Sequence, residues 1–242
     1  MSKKRMMVLL LVLAMLCALA FSGCSKQEES TEPADTETEA EAETKEETVI
    51  DYMVLVNQQS PLPDGWEEAL DLTTITNSVG DEVQVESKAY EAYLALKEAV
   101  EKDLEGYEKG EVRLELDSAY RSVAAQQKIV DDFTEKYGED YVKKYVAVPG
   151  YSEHHTGLAL DLYFTIDGKD VYENEDLVQY PDIWDAVHAR LPEFGFILRF
   201  PKDGEAVTGY AYEPWHIRYL DDPEIAKEIT DKGLTLEEYL SE

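Results

Sequence analysis

Apolar and polar positions divide this chain into three regimes. An almost unbroken apolar run extends from Met6 to Phe21, an acidic stretch nearly free of large apolar residues comes next, and from Val49 the mixed rhythm of a folded domain begins. Tyr52 to Asn57 reads as a short strand or extended entry segment, and Pro61, Pro63 and Gly65 break the chain after it. From Ser87 to Glu105, Tyr90, Tyr93, Leu94, Leu96, Val100 and Leu104 recur near helical spacing, which predicts a helix. Val112 to Leu116 alternates, as a strand with one wet face does. Val123–Tyr137 predicts a helix and Tyr141–Tyr145 a further turn or short helix. Leu158–Phe164 is rich in apolar and aromatic residues, as a mostly buried strand is. Asp167 to Asp170 reads as a turn, and the acidic run to Asp176 lacks calcium-loop spacing, so it is read as a solvated insert. Asp182–Leu191 is a helix stopped by Pro192. Phe196–Phe200 and Trp215–Tyr219 are strands, and Pro223–Lys232 and Leu236–Leu240 short helices. Helices set before and between short strands predict an α+β fold, with a small, mostly antiparallel sheet flanked by helices.

The first two regimes look like address and tether. Lys3, Lys4 and Arg5 precede the apolar run, which is shorter than the roughly 20 residues a spanning helix needs. Phe21-Ser22-Gly23-Cys24 resembles a bacterial lipobox. The expected division is 1–23 signal peptide, 24–49 lipidated Cys24 and acidic tether, and 50–242 catalytic-type domain. The tether lacks apolar periodicity and would span about 25–30 Å if flexible. Cleavage would remove Cys17 and leave no disulfide in the mature chain. This predicts an extracytoplasmic protein, lipid-anchored to the bacterial cell membrane and read as a monomer.

Charge narrows the partners. The net charge of −31 excludes a nucleic-acid binder, which needs a basic face. It also disfavours attraction to anionic head groups. A substrate carrying carboxylates must therefore be recognised by local cations, helped by screening over about 8 Å at physiological salt.

The candidate chemistry sits in Pro149–Asp161 and in Tyr212–His216, which together hold three of the four histidines. Zinc takes Cys, His, Asp or Glu ligands, and both cysteines fall in the export segment. His188 lies in an amphipathic helical pattern. That leaves His154, Asp161 and His216 as the natural set. An Asp within an apolar strand is costly unless paired or metal-bound, and Gly157 permits close backbone approach or an unusual dihedral. Glu213, three residues from His216, can approach a zinc water without binding zinc, as a general base does.

Ser152-x-His154-x-x-Gly157-x-Ala159-x-Asp161, followed by Glu213-x-x-His216, resembles the VanY-type D-alanyl-D-alanine carboxypeptidases, a group of zinc peptidases of peptidoglycan that includes LdcB-type L,D-carboxypeptidases. The resemblance continues in Val54–Asn57, Ser118–Ser122 with Gln126, Gly195–Pro201 and Thr208–His216. It implies an α+β domain with a zinc site, Zn²⁺ as cofactor and peptidoglycan stem peptides as partners. His155 stands where relatives often carry Gln, so two adjacent histidines compete for one ligand position. The resemblance places Arg121 at the site, where a guanidinium suits a carboxylate or a developing oxyanion, and makes Gln126 and Ser152 substrate hydrogen-bonders. Arg199 and Arg218 are read as structural pairs, and Trp184 and Trp215 as core or site walls. The expected reaction removes a C-terminal D-alanine, with Glu213 moving the proton. A peptidoglycan endopeptidase and a non-catalytic extracellular binding lipoprotein are the alternatives.

Overall fold

The computed structural model describes residues 49–242, so Cys17, Cys24 and the expected signal and most of the tether lie outside the described residues. A short helix α1 (Trp66–Ala69) leads into a hairpin of β1 (Leu72–Thr76) and β2 (Glu82–Glu86), then helix α2 (Ser87–Asp103) and strand β3 (Val112–Ser118). Helices α3 (Val123–Tyr137) and α4 (Glu139–Tyr145) come next, then a 3-10 turn at Glu153–Thr156 and the hairpin of β4 (Ala159–Ile166) and β5 (Lys169–Val171). The rest is α5 (Asn174–Leu177), α6 (Pro181–Arg190), a second 3-10 turn (Leu191–Phe194), β6 (Phe196–Leu198), α7 (Glu205–Thr208), β7 (His216–Tyr219), α8 (Pro223–Lys232) and α9 (Leu236–Tyr239). The main sheet runs β3-β4-β7-β6 with β5 beside β4, every pairing antiparallel.

The helices start where local chemistry lets them. Ser122 caps α3 by accepting from the Ala125 amide, and Asp222 caps α8 through Glu224 and Ile225. Glu86 does the same for α2 from a buried position, tied to Tyr52 as well. The apolar stripe Ala89, Tyr93, Leu96 and Val100 of α2 enters the core with Leu114 and Leu116 of β3 and Leu160 and Leu162 of β4. Each fully buried leucine contributes about 1.5–3 kcal/mol over an exposed one. On β4, Leu160 and Leu162 take one face, and alternation sends Asp161 to the other.

One local expectation narrows and one element is new. Among the described residues Tyr52 to Asn57 pairs with no strand, so the extended entry segment is the form that remains. The Tyr52 and Val54 carbonyls instead accept from the Arg218 guanidinium, so a side chain takes the place of a neighbouring strand. The β1–β2 hairpin was not expected, although Glu82-Val83-Gln84-Val85-Glu86 alternates in the sequence and both valines are buried. The acidic run from Asp167 to Asp176 is exposed at every position but the half-buried Val171, as expected, and Leu177 just beyond it is buried, its carbonyl accepting from the Trp184 indole. Gly157 conforms to the expectation for it. Its φ is 72°, and a Cβ there would touch Glu86 and Leu70 at 3.4 Å. Among the described residues, no helix is long and apolar enough to cross a membrane.

Candidate active site

Strand register makes the centre of the site. Asp161 of β4 stands directly opposite His216 of β7, and directly opposed residues share a face. His154 joins them from the 3-10 turn that feeds β4. Its Nδ1–H donates to the Ala119 carbonyl at 2.7 Å, which turns Nε2 toward Asp161. The Arg121 amide donates to the His154 carbonyl, so the loop after β3 is strapped to that turn.

His154 Nε2 lies 3.1 Å from Asp161 Oδ2, and His216 Nδ1 lies 3.0 Å from Asp161 Oδ1. One ligand atom from each of the three residues can be chosen so that all lie within 4.8 Å of one another. Asp161 Oδ1 is buried, yet it receives no properly aligned hydrogen bond, even from the nearby His216 nitrogen. Two electron-rich atoms facing each other in a buried place are what a cation between them would satisfy, so this donor set fits a metal ion. Burial works against charge on His216, but Asp161 and Glu153 lift its pKa to about 10. Without metal the pocket thus favours a proton where a metal cation would displace it.

The other histidines are committed elsewhere. His155 Nδ1–H donates to the Arg121 carbonyl, and its Nε2 accepts from the Gly150 amide, so both ring nitrogens are used. His188 Nε2 meets the Pro214 carbonyl at 2.9 Å.

A cavity of about 290 Å³ opens over the cluster and is also lined by Arg121, Gln126, Ser152, Glu213 and Trp215. Glu213 Oε2 is 3.8 Å from His216 Nδ1. Burial pushes its carboxyl up to about 7, with Asp161 and Glu153 adding repulsion and His216 opposing them. Arg121 donates to Gln126 Oε1 at 2.9 Å, and no carboxylate of the described residues lies within ion-pair distance of it. Burial lowers its pKa while Asp161 and Asp117 push the other way. Gln126 is itself fixed by donating to the Ala147 carbonyl, so it both lines the cavity and aims the guanidinium.

The family model of VanY, D-alanyl-D-alanine carboxypeptidase, matches residues 82–222, a span that contains every residue of this cluster. The chain belongs to the VanY family. It is 38% identical over 192 residues to the putative carboxypeptidase YodJ of Bacillus subtilis (strain 168), covering 77% of this chain and 66% of the relative, just under two thirds of its length. Among solved structures it resembles VanYB in complex with D-alanine-D-alanine, with TM-score 0.61, 31% identity, and 78% and 97% of the two chains covered. It also resembles the LdcB LD-carboxypeptidase, with TM-score 0.63, 34% identity, and 78% and 86% covered.

In this VanY-family site one residue escaped sequence reasoning. Glu153 is buried directly beneath His216, accepting from its Nε2–H at 3.0 Å. Its other oxygen takes Arg199 Nε at 2.7 Å and Arg218 Nη1 at 2.9 Å. Burial disfavours the charge, but the two guanidiniums hold the Glu153 carboxyl well below the usual range. Arg199 and Arg218 are thus paired, as expected. The only signal in the sequence was a Glu beside His154, and nothing local distinguishes that from a solvated charge.

Proposed function

We propose that this chain is a zinc-dependent carboxypeptidase that removes a C-terminal D-alanine from peptidoglycan stem peptides during cell-wall remodelling, as a D,D- or an L,D-enzyme. One observation carries the reading. A single cavity gathers the His154, Asp161 and His216 cluster, a half-buried carboxyl that readily holds a proton, and a guanidinium with no carboxylate partner among the described residues. The relatives solved with D-alanine-D-alanine or described as an LD-carboxypeptidase support the substrate class.

In this reading His154, Asp161 and His216 hold the zinc, with both imidazoles neutral and oriented by Ala119 and Glu153. Bound zinc supplies Lewis acidity, lowering the pKa of a water to about 7. Glu213 takes the proton from the attacking water as the new C–O bond forms. Its raised proton affinity suits it to hold that proton and pass it to the nitrogen of the departing D-alanine as the C–N bond breaks. Arg121 steadies negative charge on the substrate, either the developing oxyanion or the terminal carboxylate. Ile129, Phe133 and Val146 give the cavity an apolar wall. Ser152 lines the same space, and in this reading its hydroxyl hydrogen-bonds substrate.

The same proposal puts the enzyme outside the cell, tethered through lipidated Cys24. Cys24→Ala is expected to abolish acyl labelling and release the domain. Membrane retention without label would speak for an uncleaved anchor instead. The reaction itself is tested by incubating the zinc-loaded protein with defined pentapeptide and tetrapeptide muropeptides and weighing the products. The expected product has lost one alanine. Cleavage within the stem or cross-bridge would make the protein an endopeptidase, and zinc uptake with no cleavage of any stem would make it a binding protein.

A further inference from the structure

The buried charge beneath His216 continues past Glu153. Arg199 uses Nε for Glu153 and gives its other two nitrogens to Glu237 of α9, at 2.8 and 2.6 Å. Glu237 Oε1 also accepts from Asn57 Nδ2 at 3.1 Å. Asn57 and Glu237 both lie outside residues 82–222, the span matched by the family model. Helix α9 is itself fixed by a capping box in which Thr235 and Glu238 bond reciprocally.

The two arginines that grip Glu153 are secured differently. Arg218 is held by backbone, donating to the carbonyls of Tyr52, Val54 and Tyr219. Arg199 is held by one side chain, the Glu237 carboxylate, in a two-pronged geometry that fixes the plane of its guanidinium. The plane of Arg199 sets where its Nε points, and Nε is half of the grip on Glu153 Oε1. Glu153 in turn fixes the ring of His216, and partners beyond the metal ligands commonly set both orientation and basicity of a ligating imidazole. With two guanidiniums and two carboxylates, the group carries no net charge. It adds little overall field, so its influence on His216 is local and geometric.

We propose that Glu237 is a positioning residue for the metal centre, holding His216 in its metal-facing orientation through Arg199 and Glu153. This rests on the reading of His216 as a zinc ligand.

The test measures zinc affinity of the full chain by competition with a chromophoric chelator, with the visible spectrum of the cobalt-substituted protein as a second readout. Wild type binds zinc and His216→Ala does not. Glu153→Gln should weaken zinc by about 10–100-fold, and Glu237→Gln by roughly tenfold, the low end for such partners. Both should alter the cobalt spectrum. Glu238→Ala breaks the capping box of the same helix but touches neither Arg199 nor Glu237. It should lower the melting temperature while leaving zinc affinity and spectrum unchanged. Should Glu237→Gln not fold, Arg199→Lys keeps a cation against Glu153, loses the fork to Glu237, and carries the same expectation. Wild-type zinc affinity in folded Glu237→Gln overturns the proposal, as does an equal loss in Glu238→Ala. A wild-type chain without zinc, or a His216→Ala variant that keeps it, overturns the metal reading and the positioning role with it.

Discussion

Two groups of charge, one buried and one half-buried, lie back to back on His216, and they are satisfied to very different degrees. Beneath the ring, Glu153 meets two guanidiniums and Arg199 meets a second carboxylate, so every charge there has a partner of opposite sign. Above it, among the described residues, Asp161 Oδ1 lacks an aligned hydrogen bond, Glu213 has only His216 at 3.8 Å, and Arg121 has only neutral partners. Burying a charge is costly unless it is paired. The lower group meets that cost within the fold. The upper group leaves it unmet, and such a site is relieved when a cation and an anionic substrate arrive. Completeness of pairing therefore separates support from chemistry, and so does depth: Glu153, Arg199 and Arg218 are buried, whereas Asp161, Arg121 and Glu213 are half-buried beside the cavity.

Removing the upper carboxylate and imidazoles gives the largest effect. His154→Ala, Asp161→Ala and His216→Ala should each lose zinc and all measurable turnover, whereas His155→Ala and His188→Ala should keep the metal, because their ring nitrogens serve backbone groups. Metal analysis of the purified variants decides, and the reverse result for the adjacent pair would move the ligand to His155. Next comes Glu213→Gln, expected to retain zinc and to turn over at least ~10²-fold more slowly. Near wild-type kcat in the metal-replete variant would assign the proton to another group.

The contrast is sharpest between two arginines. Arg121→Met should cost about 10²–10³ in rate if the guanidinium meets an oxyanion, with little change in melting temperature, since no carboxylate is left stranded. A rise in KM alone would assign it to the terminal carboxylate of the substrate. Arg218→Met should do the opposite to stability. It leaves Glu153 with one guanidinium in place of two and should destabilise the fold by about 3–5 kcal/mol, toward the lower figure because Arg199 remains. Denaturant melts of both variants test the pair, and equal destabilisation would erase the distinction between the two groups. The smallest effect belongs to the surface, where Lys227→Ala removes an exposed pair with Asp231. No shift outside measurement scatter is expected there, as solvent screens both charges.

Much of this architecture was legible because its causes are local. Helix α3 occupies Val123–Tyr137 and α8 Pro223–Lys232, the spans their periodicity and flanking residues indicate. The cluster was legible too, because Ser152, His154, Gly157 and Asp161 are fixed by short-range geometry in a turn that runs straight into a strand. What the sequence left open was an apolar stretch whose partner lies far along the chain. Tyr52 to Val56 has the composition of a strand, but Arg218 takes the carbonyls of Tyr52 and Val54.

The sequence by itself determined the residue types, their spacing and the family, since each depends on neighbours within a few positions. Only the tertiary structure decided that Asp161 faces His216, that His155 is turned away toward backbone, and that Glu153 lies under His216, 63 residues distant. Those facts depend on strand register and on packing between segments far apart in the chain. A glutamate reads the same in sequence whether water or two buried guanidiniums surround it. The difference arises only when the fold removes the water.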